Sequence, residues 1–254
     1  MKILLSPAKS IHASCECLPE TFTLPSFEKE STALVAKLKK MSARKISKLM
    51  HLSNDLSELN FERYQRWHFP QAIGQEVFQA GFAFSGEVYR GLKLNEFSTE
   101  QLDNAQNAIR ILSGLYGILR PLDLLFPYRL EMGTSWAITP KTKNLYQFWG
   151  TKLTTHLQNE LKEDELVVNL ASTEYAKAIQ LKQLKNPVIT PVFKEFKNGD
   201  FKVIMMYAKH ARGAMASHLI RSNASTADDV KLFSDGGYSY DEKQSTSSEL
   251  VFIR

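Results

Sequence analysis

The stretch LSGLYGILRPLDLLFPYRLEMG, Leu112 to Gly133, contains Gly114, Gly117 and Gly133 together with Pro121 and Pro127. Glycine and proline at this density interrupt both helical and strand periods, so the stretch reads as turn after turn. Leu, Ile, Phe and Tyr fill much of the rest, which argues against a solvated loop. Arg120, Arg129 and Glu131 are set among them. Charges held in an irregular, buried-type segment must be paired or presented to a ligand.

Outward from this stretch, the chain alternates short apolar runs with amphipathic ones. Ile3 to Leu5 reads as a first strand, and Val167 to Leu170 as a short buried strand. Helices are expected over Ser26–Met41, from a Ser42 cap to about Leu52, over Asn54–Trp67 and over Gln71–Ala80. Ser98 and Gln101 form a capping box for a helix reaching about Leu112. Lys143–Leu161 reads as one amphipathic helix, with Leu145, Trp149, Leu153 and Leu157 on one face, and Ser172 caps a further short helix. Asn198-Gly199 is the preferred two-residue hairpin turn. It sets Lys197 opposite Asp200, Phe196 opposite Phe201 and Glu195 opposite Lys202. The expected apolar face is Val192, Phe196, Phe201, Val203 and Met205, with the two charge pairs as hairpin salt bridges. In the helix from about Ala208 to Ser222, Ala208, Ala211, Met215 and Leu219 share one face, and Ala214, Ser217, His218 and Arg221 the opposite one. Lys209 and Arg212 flank the apolar arc beside Gly213 and Ala216, as residues lining a cleft would; cations snorkelling past the core is the plainer alternative.

A chain of 254 residues with 43% hydrophobic residues suits a globular protein without repeats or linkers, expected as one domain over residues 1–254. No apolar run approaches the ~20 residues of a membrane span, and the Ile3–Leu5 run is too short for a signal peptide, so a soluble, unexported protein is expected. Cys15 and Cys17 make no disulfide framework. With His12 they offer three metal ligands without a completing partner, so neither cofactor nor metal is expected and both cysteines should be dispensable. The formal net charge is +5, but its distribution is uneven. Lys37 to Lys48 contains six cations and no acid, and Lys177 to Arg221 nine cations and two acids, whereas Ser222 to Arg254 has an acidic excess. Concentrated basic surface suits an anionic partner.

Two further readings compete. Leu56 to Asn60, between apolar segments flanked by Arg44, Lys45, Lys48, Arg63 and Arg66, is placed as in a helix-hairpin-helix, which holds a DNA phosphate on backbone N–H groups. Glu58 stands where that motif needs glycine, so an ordinary helical packing unit is the alternative. Separately, Lys9 after the first strand, and Ser172 and Glu174 after Val167–Leu170, lie where α/β sheets build sites. Arg120, Arg129, Glu131 and Lys209 would complete a pocket for a small anion, or form a structural ion-pair network. No phosphate-binding glycine loop or nucleophile elbow is present.

Six blocks decide between classes: the Leu112–Gly133 stretch, ILLSPAKS (Ile3 to Ser10), FSGEVYRGL (Phe84 to Leu92), LYQFWG (Leu145 to Gly150), VVNLASTEY (Val167 to Tyr175) and YAKHARG (Tyr207 to Gly213). In this order they resemble the YaaA peroxide-stress family. That resemblance implies a cytoplasmic bacterial protein of the peroxide response, linked to limiting free intracellular iron. It implies an unusual α+β fold, a mixed sheet with surrounding helices and a basic cleft that binds DNA. Lys9, Arg120, Arg129, Lys209 and Arg212 are the cleft candidates within matching blocks. Arg44, Lys45 and Lys48 are candidates for an outer phosphate track. The rival is an enzyme acting on a small anion in the same cleft, which acids such as Glu131 and Glu174 would favour.

Overall fold

Ile3, Leu4 and Leu5 are fully buried because their strand, β1 (Lys2–Leu5), runs through the middle of a sheet. The computed structural model describes residues 1–12 and 19–254; Cys15 and Cys17, with the dispensability expected of them, lie outside the described residues. The sheet continues with β2 (Ile109–Ser113), β3 (Gly117–Leu119), β4 (Val167–Asn169), β5 (Val188–Lys197), β6 (Asp200–Lys202), β7 (Ser239–Tyr240) and β8 (Glu249–Ile253). Its order is β7-β8-β5-β4-β1-β2-β3, with β6 paired to β5. Strands β2, β1, β4, β5 and β8 run parallel, whereas β3, β6 and β7 pair antiparallel. The expected α+β class with a mixed sheet and surrounding helices is therefore what the chain adopts.

The helices include α1 (Glu28–Leu38), α2 (Ala43–Met50), α3 (Asn54–Arg66), α4 (Glu87–Leu92), α5 (Thr99–Ala108), α6 (Leu145–Trp149), α7 (Lys152–Glu160), α8 (Thr173–Ile179) and α9 (Met205–Arg221). Ser98 and Gln101 form the expected capping box on α5, but that helix stops at Ala108. The following Ile109–Ser113 enters the sheet between β1 and β3, where its side chains are buried on both faces as a parallel strand requires. Lys143–Leu161 is two helices rather than one. Gly150, at φ 53° and ψ −123°, breaks the run in a conformation that side-chain-bearing residues rarely adopt. Leu145, Trp149, Leu153 and Leu157 are nevertheless all fully buried. The helix expected over Gln71–Ala80 does not form: Gln71–Gln79 holds the Gly74–Val77 bridge and a two-residue ribbon strand, Phe78–Gln79, and only Ala80 is helical, as the first residue of Ala80–Ala83.

The hairpin register is as expected, with Lys197 opposite Asp200, Phe196 opposite Phe201 and Glu195 opposite Lys202. Its faces are not. On β5 the buried positions alternate through Ile189, Pro191, Phe193 and Glu195, which leaves Phe196, Val203 and Met205 exposed. Glu195 turns inward to Arg254 (2.7 Å) and to the Tyr238 hydroxyl instead of meeting Lys202. The expected hairpin salt bridges do not form among the described residues, so Lys197 and Lys202 are plain exposed cations.

One packing contact fixes the functional half of the molecule. Helices α4 and α9 cross at Gly91 and Gly213. A Cβ added at Gly213 would lie 1.8 Å from the Val88 carbonyl oxygen, and one at Gly91 would lie 2.2 Å from that of His210. Backbone meets backbone there, with no flexible side chain to give way. We expect Gly213→Ala to cost about 2 kcal/mol or more through overpacking. Gly74→Ala, with no atom within 4 Å of the new Cβ, should change stability by less than about 0.5 kcal/mol. Urea-unfolding midpoints of the two variants test this; equal midpoints would refute the tight crossing.

Candidate anion-binding cleft

Strands β1 and β4 are neighbours, and the chain leaves β1 toward β2 but β4 toward β5, on opposite halves of the sheet. A crevice opens at the carboxyl ends of parallel strands at such a point. Ser6–Ser10 leaves β1 there, and Ala171–Tyr175 leaves β4. Ser6 joins the two: its Oγ accepts the Ser172 N–H (2.9 Å) and its hydroxyl donates to Ser172 Oγ (3.3 Å). Ser172 is the N-cap residue of α8 as expected, but it makes no side-chain cap bond, because its hydroxyl is turned to Ser6. The Tyr89 hydroxyl donates to the Ser6 carbonyl (3.1 Å), which ties α4 to the same point. Tyr128–Glu131 and the residues Lys209 and Arg212 of α9 complete a recess of about 300 Å³.

Glu131 is the electrostatic hub. Its carboxylate receives Lys9 Nζ at 3.0 Å, and Arg129 through Nε at 3.1 Å and Nη2 at 2.9 Å. Tyr64, buried in α3, donates its hydroxyl to the Arg129 carbonyl, which fixes that backbone. Glu174 Oε1 accepts the Gly133 N–H at 2.8 Å. Glu87 faces Arg90 (2.6 Å) and His210 (3.6 Å). Arg212 differs from all of these: its Nε is buried without a hydrogen-bond partner among the described residues, and burial pulls the guanidinium pKa below its ordinary value. Lys209 beside it is exposed. Burial pushes the phenols of Tyr89, Tyr128 and Tyr175 upward, so these walls present neutral hydroxyls.

The structure thus brings together Lys9, Arg129, Lys209 and Arg212. Arg120 is placed elsewhere. Its guanidinium meets Asp123 through Nε (3.2 Å) and Nη2 (3.0 Å), and its N–H donates to the same carboxylate (2.7 Å). Asp123 is buried, so removing Arg120 would strand a charge; this pair is structural. Arg44, Lys45 and Lys48 are exposed on α2, outside the recess. The helix–turn–helix that they flank does not have the expected hairpin. Its turn is His51–Ser53, with His51 left-handed (φ 53°) and Ser53 capping α3. Leu56–Asn60 lies inside α3, and Asn60 is buried there, donating to the Leu56 carbonyl rather than capping a helix. Sequence reasoning missed Asp123, whose i,i+3 spacing from Arg120 was the available signal, and Tyr89 and Glu87, which only the fold brings to the recess.

A family model described as "Peroxide stress protein YaaA" matches residues 1–244. Relatives named "UPF0246 protein" align along the whole chain. That of Shewanella sp. (strain MR-4) is 46% identical, with 100% of this chain and 99% of the relative covered. That of Flavobacterium johnsoniae is 45% identical with 100% of both covered, and that of Paraburkholderia phytofirmans 43% identical with 100% and 98% covered.

Two of the recess carboxylates, Glu131 and Glu174, should respond differently to amide replacement. Glu131→Gln leaves the largely buried Arg129 without its counter-charge and should cost about 1–3 kcal/mol. Glu174→Gln retains a carbonyl to accept the Gly133 N–H, so its cost should stay below about 1 kcal/mol. Chemical denaturation of both variants measures this, and a cost for Glu174→Gln equal to that for Glu131→Gln would remove Glu131 from its central place.

Proposed function

Because the chain belongs to the peroxide stress protein YaaA family, we propose that it protects against peroxide in the cytoplasm by binding DNA without sequence preference. Lys9, Arg129, Lys209 and Arg212 would contact phosphates at the cleft, and Arg44, Lys45 and Lys48 an outer stretch of backbone. The observation that carries this reading is Arg212. Its guanidinium lines the recess, is largely buried and has no charged partner among the described residues, a placement that is costly unless an anion meets it, and arginine matches phosphate oxygens bidentately. Lys209 adds a second recess cation that makes no ion pair among the described residues. The link to limiting free intracellular iron rests on the family alone.

A second reading is favoured by the size and acids of the recess. At about 300 Å³, with Glu131 and Glu174 on its walls, it suits a small anionic substrate and acid–base chemistry.

Two measurements separate these. Phosphate-dominated DNA binding should weaken with salt at a log–log slope of about −0.9 per phosphate contacted; affinity independent of salt would remove the DNA reading. Lys209→Ala with Arg212→Ala should weaken binding to duplex DNA far more than Lys197→Ala with Lys202→Ala, although both remove the same charge. Equal losses would mean that bulk charge alone matters. Arg212→Lys should fall between wild type and the double variant, since lysine keeps the charge but loses the fork.

A further inference from the structure

Resting on the phosphate-binding reading, we propose that the recess is built for a terminal phosphomonoester of mononucleotide size, either a free nucleotide or the 5′-phosphorylated end of a DNA strand, rather than for the internal diesters of a duplex. Three observations lead there.

The first is charge. Four cations line the recess, Lys9, Arg129, Lys209 and Arg212, with the acids Glu87, Glu131 and Glu174. Glu87 is held by Arg90, from outside the recess. Against Glu131 and Glu174 the four cations leave a net excess of two positive charges, and Lys209 and Arg212 are the two that make no ion pair among the described residues. A phosphomonoester carries about −1.5 to −2 at neutral pH, whereas an internal diester carries one negative charge. The dianion matches the excess; the diester does not.

The second is shape. The recess is about 300 Å³, the lower end of the usual range for small-molecule sites. The Ser6–Ser172 junction at the ends of β1 and β4 lines it, and the buried Tyr128 and Tyr175 line it too. A duplex, whose major groove alone is about 12 Å wide, touches only the mouth. One nucleotide at a strand end can enter.

The third is the donor set away from the cations. Ser10 and Ser85 bring hydroxyls to the walls, whereas the hydroxyls of Ser6 and Ser172 bond each other and those of Tyr89 and Tyr128 are held by the Ser6 carbonyl and Ser113, so the tyrosines offer ring surface. Glu174 has its second carboxylate oxygen free of any described partner. These groups suit the hydroxyls and ring edge of a nucleoside, with the phosphate on Arg212 and Lys209.

The test uses the full-length chain and three DNA probes of one sequence: a hairpin with a 5′-phosphate, the same hairpin with a 5′-hydroxyl, and a covalently closed dumbbell. The phosphorylated hairpin should bind roughly tenfold or more tighter than the other two, the worth of one charge-assisted hydrogen bond. Thermal melting with dAMP and with deoxyadenosine supplies the second arm: dAMP should raise Tm and the nucleoside should not. Arg212→Lys and Lys209→Ala should each reduce the end preference and the dAMP shift; Arg212→Lys preserves the charge, so a folded variant is available if alanine at Arg212 is not tolerated. Equal binding of all three DNAs with no dAMP shift overturns this inference while leaving DNA binding intact. A dAMP shift without binding of any DNA overturns the DNA reading and leaves the site to free nucleotides. If neither DNA nor dAMP binds, both are wrong.

Discussion

The crossing of α4 over α9 at Gly91 and Gly213 is the contact on which the site depends. Each glycine faces a backbone carbonyl of the other helix, Gly213 that of Val88 and Gly91 that of His210. Side chains between two helices can change rotamer and let the axes drift, but apposed backbones cannot, so the separation is fixed. From α9 the crossing sends Lys209 and Arg212 toward the recess and Ala208, Ala211, Met215 and Leu219 into the core. From α4 it aims Tyr89 at the Ser6 carbonyl. Elements distant in sequence, β1, α4 and α9, thereby keep one geometry around a cavity that otherwise has irregular walls.

Within that frame the charges divide by partner rather than by number. The Arg120–Asp123 pair fixes a turn and takes no part in the recess. Glu131 collects Lys9 and Arg129, so these two are positioned and partly neutralised by the same carboxylate. Lys209 and Arg212 remain. The formal net charge of +5 therefore says little about the site, because net charge governs solubility and steering more than local recognition. What matters is that Lys209 and Arg212 line the recess, and that Arg212 is largely desolvated there, where a lower dielectric strengthens contact with an anion.

Local chemistry was legible in the sequence and distant pairing was not. The capping box of Ser98 and Gln101 and the Asn198-Gly199 register depend on neighbours within a few residues, and both formed as expected. Which face of that hairpin is buried depends on β8 and on Tyr238, Arg254 and Phe252, far along the chain, and there the alternation pointed the wrong way. Gly150 broke a helix whose apolar period continues through it, because the period survives a change of axis direction when both halves pack on the same core. Lys9, Arg129, Lys209 and Arg212 were identifiable as candidates from their surroundings, whereas Arg120 sat in the same kind of block and differs only by Asp123, an acid one turn away that claims it.

The composition of α9 also follows from what lies on its two flanks. The anion-binding recess is on one side, and a larger hollow of about 910 Å³, lined by His210, Ala214, Ser217 and Arg221, is on the other. Ser217, expected among the outward residues, is buried at that wall and receives the Arg221 guanidinium at 3.1 Å. A helix with a cavity on each flank can reach the core only along a narrow stripe. Close approach along such a stripe requires small side chains, and α9 supplies Ala208, Ala211, Gly213 and Ala216. Its first turn is held by Arg254, whose guanidinium lies 5.0 Å from the Tyr207 ring and 4.7 Å from the Tyr238 ring while Nε is held by Glu195. The helix is thus anchored at its start by Arg254 and in its middle by the glycine crossing, and the cations between these two anchors, Lys209 and Arg212, are the ones turned to the recess.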